Sequence, residues 1–214
     1  MPPLHLRRAA VAVSAAALLP LALTACSNDS KDSSSGSTAS AARTSPSAAA
    51  SESMDMNKPF GAACSSVPKD GAGSFAGMAK DPVATAASHN PALSTLVTAV
   101  KKAGLVDTLN NAQDITVFAP TDDAFAKIPQ ADLDKLLADK EQLTKVLTYH
   151  VVGRKLAPRQ LDKGSFTTLA KSELTTSGSD LAYTVNDTSK VVCGNVPTAN
   201  ATVYIVDTVL MPPQ

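Results

Sequence analysis

What the sequence lacks narrows its function first. It has no strand–turn–helix nucleophile elbow of the G-x-S-x-G kind, no phosphate loop and no dinucleotide fingerprint. Its three cysteines and three histidines do not fall into the spacing of a zinc site. No internal repeat is present. No acidic residue precedes Cys26, so a leader cut after Ala25 removes only Arg7 and Arg8 among the Lys, Arg, Asp and Glu residues. The mature chain then carries two more acidic than basic side chains. A nucleic-acid partner needs a basic surface, and this balance argues against that class. The expectation is a protein with no catalytic role, no cofactor, no metal and no nucleic-acid partner.

What is present begins with an export signal. Arg7-Arg8 and the apolar run from Ala9 to Leu23 have the charge-then-hydrophobe order of a secretory leader, and the run is short for a membrane span. It ends in Leu23-Thr24-Ala25-Cys26, the pattern of a bacterial lipobox, whose cleavage leaves Cys26 as a lipidated first residue. The alternative is a plain leader with an incidental cysteine. From Ser27 to about Lys58 the chain is Ser, Ala, Thr and short charged residues, with too little apolar surface to offset the entropy of ordering. The organisation read from these segments is a lipoprotein leader over 1–25, a disordered tether over 26–58 and one folded domain over 59–214. The expected location is the outer face of a bacterial membrane, held by lipid on Cys26, with release into the medium as a second outcome.

The folded part turns on Ile115 to Phe125. Ile115, Val117 and Phe118 supply the content of a buried strand, and Ala119-Pro120 is expected to stop it. Thr121 reads as a helix N-cap with Asp122 and Asp123 in the first turn. Upstream, Ser74 to Lys80 and Val83 to Ser88 read as short helices. Leu93, Leu96, Val97 and Val100 then mark an amphipathic helix ended by Gly104, and Leu105, Val106 and Leu109 continue as an apolar turn. Downstream, Leu133, Leu136 and Leu137 form one helical face, and Leu143, Val146, Leu147 and His150 another. Strand character is expected from Tyr149 to Val152, and short β-rich runs follow from Phe166 onward. Helices first and strands later predict an α+β fold.

Few residues invite chemistry. Adjacent Asp122 and Asp123 do not face each other, and the helix dipole accounts for both. His89 sits in a polar turn with no evident acidic partner. His150 reads as a buried, hydrogen-bonded imidazole with Tyr149 packed beside it; an exposed recognition role is the alternative. Cys64 and Cys193 are the thiols of the folded region, and export favours their pairing as a disulfide; two free thiols or metal ligands are the alternatives. Asn28-Asp29-Ser30, Asn186-Asp187-Thr188 and Asn200-Ala201-Thr202 match the N-glycosylation pattern by chance.

Four ordered stretches carry a family likeness: ATAASHNPALSTLVTAVKKAGL from Ala84, TVFAPTDDAF from Thr116, LTKVLTYHVV from Leu143 and NATVYIVDTVLMP from Asn200. Together they resemble the fasciclin domain. Within that family the ending CGNVPTANATVYIVDTVLMPP is similar to the single-domain secreted and lipid-anchored surface antigens of mycobacteria and related actinobacteria. The resemblance implies a wedge of short β-strands flanked by several helices, and a role in adhesion or surface interaction. It also implies an interaction surface built from Leu147, Tyr149, His150 and Val151, with a second stretch at Asn195-Val196. Adhesive animal members have an Asp-Ile pair at that second stretch, so the carboxylate of an integrin-type contact is missing here. The expected function is a cell-surface lipoprotein carrying an adhesion or protein-interaction module, with an unknown surface, matrix or envelope partner. The alternative is an envelope protein that binds a small ligand, lipid or polysaccharide in an apolar pocket.

Overall fold

The computed structural model describes residues 57–213. The leader, Cys26 and nearly all of the tether lie outside the described residues. Helices α1 (Phe75–Met78), α2 (Val83–Ser88), α3 (Ser94–Ala103) and α4 (Val106–Asn111) precede strand β1 (Ile115–Pro120). Helices α5 (Asp122–Ala126), α6 (Gln130–Ala138) and α7 (Lys140–Tyr149) follow it, leading into the two-residue strand β2 (Val151–Val152). Strands β3 (Lys163–Thr167), β4 (Glu173–Ser179), β5 (Ala182–Val185), β6 (Ser189–Pro197) and β7 (Ala201–Val206) complete an α+β fold.

The strands form one sheet in the order β2-β1-β7-β6-β5-β4-β3. The β1–β7 pair is parallel, with Ile115 opposite Ala201 and Pro120 opposite Val206; the other neighbours are antiparallel. The sheet curls until its ends meet. Val152 bridges Thr168, just past β3, and the Leu169 N–H donates to the Val151 carbonyl at 2.8 Å.

Curling divides the apolar side chains into two cores. Phe118, Tyr204 and Val206 point inside, where they join Phe166, Leu174, Tyr183 and Val185. Ile115, Val117, Ala119, Val203 and Ile205 point outward against α2, α3 and α7. Both β1 and β7 are therefore buried along their whole length, which is why each is a continuous apolar run instead of an alternating one. Phe118 and Tyr204 stack within the inner core, ring centroids 5.8 Å apart.

Local chemistry sets the helix ends. The Thr121 hydroxyl accepts from the Ala124 N–H at 3.1 Å, capping α5, and Gly104 ends α3 in the left-handed conformation at φ 73°, which lacks a Cβ penalty only for glycine. Asp139 caps α7 by accepting from the Glu141 and Gln142 N–H groups. The sulfurs of Cys64 and Cys193 are bonded, tying the segment before α1 to β6 across 129 residues of chain.

Four expectations about element ends are corrected. Pro120 belongs to β1, because the ladder is resumed by the Thr121 N–H, which donates to the Val206 carbonyl at 3.1 Å. The turn at Val106 and Leu109 is the helix α4. Tyr149 closes α7 instead of opening a strand, since the His150 N–H still donates back to the Val146 and Leu147 carbonyls. Strand β3 starts at Lys163, earlier than Phe166; pairing with β4 imposes extension on the polar Lys163-Gly164-Ser165.

Candidate functional site

The helix α7 and the strand β2 deliver Leu147, Tyr149, His150 and Val151 to the protein interior, not to its surface. Tyr149 and His150 are each 2% exposed, Val151 2% and Leu147 5%. Val196 is 1% exposed, and its neighbour Asn195 is half-buried in a left-handed backbone conformation, φ 56°. The candidate interaction surface is thereby corrected: five of its six side chains are buried, because both faces of this part of the sheet are covered.

His150 is held from both sides. Its Nδ1–H donates to the Val146 carbonyl at 2.8 Å, and its Nε2 accepts from the Leu210 N–H at 3.0 Å. Both bonds together require the neutral Nδ1–H tautomer. Burial pushes the imidazole down to about 4, against the opposing pull of the Val146 carbonyl. The Tyr149 hydroxyl donates to the Glu173 carbonyl at 2.9 Å and accepts from Asn186 Nδ2 at 2.8 Å, which joins α7 to the far strands.

The carboxylates are equally committed. One oxygen of Asp122 accepts from the Thr95 N–H at 2.7 Å and the other from the Ser94 hydroxyl at 2.6 Å. Asp122 therefore caps α3, whose own preceding residue, Leu93, has no capping side chain. Partial burial favours protonation of Asp122, yet the bonds from Ser94 and Thr95 prevail and hold it below the usual carboxylate value. His89 does have an acidic partner, Asp81, at 3.4 Å, which reaches it from the opposite end of the short helix α2. Among the described residues, no group of three or more His, Cys, Asp or Glu is placed to hold a metal ion.

Two features of the fold carry no local signal in the sequence. Asn200 is 7% exposed. Its Oδ1 accepts from the Val83 N–H at 2.8 Å, and its Nδ2 donates to the carbonyls of Leu109 and Ala112 at 2.8 and 2.7 Å. It ties α2 and α4 to the start of β7. The second feature is an apolar cavity of about 200 Å³ between α2, α3, α4 and the outward face of β1 and β7. Leu147, Val151 and Val196 line it, so three residues expected on a surface converge on an internal space.

The Fasciclin domain family pattern matches residues 91–212, more than half of the chain. The cell surface glycolipoprotein MPB83 of Mycobacterium bovis is 51% identical over 148 residues, covering 67% of this chain and 66% of that protein. The chain thus spans just under two thirds of that relative's length. The cell surface glycolipoprotein MPT83 of Mycobacterium tuberculosis aligns with the same identity and coverage. The immunogenic protein MPB70 of Mycobacterium bovis is 44% identical over 174 residues, covering 79% of this chain and 87% of that protein. Among solved structures, a FAS1 domain pair from the insect cell adhesion molecule Fasciclin I shares the fold. It matches with a TM-score of 0.52 and 19% identity, covering 63% of this chain and 52% of that one. The two-core, curled-sheet architecture and these alignments agree: the chain belongs to the fasciclin domain family and is related to exported mycobacterial surface glycolipoproteins.

Proposed function

We propose that the protein is a surface lipoprotein whose folded head works by contacting other molecules of the envelope or its surroundings, and not by transforming them. In this reading residues 1–25 are removed on export, Cys26 carries the lipid, 26–58 is the tether and 59–214 is the head. Kinship with cell surface glycolipoproteins supports the location.

The observation that carries the contact reading is how the would-be catalytic groups are used. Both His150 ring nitrogens are bonded internally, and the Asp122 carboxylate caps a helix. A general base must reach a substrate proton within hydrogen-bond distance; His150 is buried with both nitrogens occupied, and the Asp122 oxygens are taken up by Ser94 and Thr95. Tyr149, His150, Leu147, Val151 and Val196 then act as supports for the outer faces that make contact.

Two measurements test this. A Cys26→Ala variant should leave the membrane fraction, since anchoring by acyl chains contributes roughly 0.8 kcal/mol per buried methylene; recovery of the variant wholly in membranes would overturn the anchor. Photo-reactive groups at exposed positions of the lipidated chain should crosslink an envelope or matrix component on intact cells. Substrate turnover that disappears on changing His150 while the fold persists would overturn the contact reading.

A further inference from the structure

The helices on the outward face of the sheet leave a space that the sequence makes on purpose-built terms: α2 reads VATAAS, and Ala84, Ala86 and Ala87 all line the cavity. Facing them are Leu96, Val97 and Val100 of α3. Alanine methyls opposite branched side chains leave the gap, and protein interiors otherwise hold few voids larger than a water molecule. At about 200 Å³ it exceeds the roughly 150 Å³ apolar cavity known to take up benzene.

The chemistry of the lining narrows the occupant. Aliphatic side chains form the floor, among them Val117, Val203 and Ile205, and no aromatic ring lines the space. That suits a flexible saturated chain, with no platform for stacking a planar ring. Polar groups stand at the rim, where Thr85 is half-buried and Ser88 and Lys101 are exposed. Lys101 is the charged residue among the lining groups and has no carboxylate within ion-pair distance among the described residues. Its aliphatic stem can follow the apolar wall while its ammonium stays in water. A site with an apolar slot and one cation at its mouth matches a chain that ends in an anion.

We propose that this cavity binds the aliphatic chain of a fatty-acid anion, with the carboxylate at Lys101. This goes beyond surface contact: the head would carry a single-chain amphiphile inside it, whatever it touches outside.

Dodecanoate, kept below its micelle concentration, is the probe. The protein is the full exported chain carrying Cys26→Ala, so that its own lipid does not compete. Calorimetry should show saturable one-to-one binding. The methyl resonances of Val100, Val203 and Ile205 should shift, while those of Leu174 and Val185 in the inner core stay in place. Ala84→Leu and Ala87→Leu should each weaken binding at least tenfold and keep or raise the melting temperature of the free protein, because they fill the slot. Lys101→Gln should weaken dodecanoate about fivefold and leave 1-dodecanol unchanged. Absence of saturable binding, several equivalents per chain, or shifts confined to surface methyls would overturn the proposal. So would unchanged affinity in a folded slot-filled variant. An unchanged dodecanoate affinity in Lys101→Gln would overturn the headgroup assignment. Failure on these counts leaves the contact reading standing, since crosslinking on cells tests that separately.

Discussion

Inside the folded head, the His150 ring has a place for one proton. Nδ1 already donates to the Val146 carbonyl, and a second proton on Nε2 would face the Leu210 N–H. Its folded value lies at about 4, below the ordinary 6.5, chiefly because burial disfavours the charged ring. Between those values the unfolded chain takes up a proton that the folded one refuses, so stability is full above 6.5 and falls as the pH drops toward 4. A shift of this size corresponds to about 3 kcal/mol. Replacing His150 by Phe should cost about 2–4 kcal/mol at neutral pH, because the Val146 carbonyl and the Leu210 N–H lose their partner. It should also flatten the dependence of unfolding free energy on pH between 4 and 6.5. Urea unfolding of both proteins across that range checks this, and an unchanged slope would refute the buried-imidazole account.

At the scale of elements, single polar side chains set how helices meet the sheet. Asp122 begins α5 and caps α3 from outside. Asp122→Ala should cost about 1–2 kcal/mol, the range for losing a helix cap, with faster amide exchange in the first turn of α3. Since the folded carboxyl is held below its usual value, its contribution persists above that value and fades only in stronger acid. Asn200 does more, because it bonds α2 and α4 at once from a buried position. Asn200→Ala leaves the buried Val83 N–H, the buried Leu109 carbonyl and the half-buried Ala112 carbonyl without that partner and should cost about 3–5 kcal/mol. Its melting temperature should fall well below that of Asp122→Ala; equal shifts would mean that water replaces the lost bonds.

At the scale of the whole molecule, the two cores share the β1–β7 pair, and one covalent link closes the chain around them. The Cys64–Cys193 bond joins two segments 129 residues apart, next to where Phe60 and Gly194 exchange backbone hydrogen bonds. Gly194 admits the Phe60 ring there, since a Cβ would stand only 2.4 Å from it. Chain-entropy reasoning puts the link at about 3–5 kcal/mol. A Cys64→Ala/Cys193→Ala double variant should unfold at correspondingly lower urea concentration and with a steeper slope, because the unfolded chain is released to expand. A variant with the stability and slope of the parent would show that the bond contributes nothing.

Much of this was legible in the chain. Periodicity placed α3 and α7, the Thr121 cap and the strand before it, because amphipathic spacing and capping are local properties. The strand-rich second half and the order of helices then strands also followed from short-range pattern. Element ends were harder, as at Pro120 and Lys163, where pairing with a distant strand overrode local preference. The site was harder still. Nothing adjacent to Tyr149-His150 shows that Glu173, Asn186 and Leu210 close over it, or that Asn200 reaches Val83, because those contacts span tens of residues. An alanine-rich α2 is visible in the sequence, but only its packing against α3 and the sheet makes that composition a cavity. Local side-chain chemistry determined which segments are helix or strand; which side chains face inward, and what space they leave, was decided by long-range packing that no short window of sequence contains.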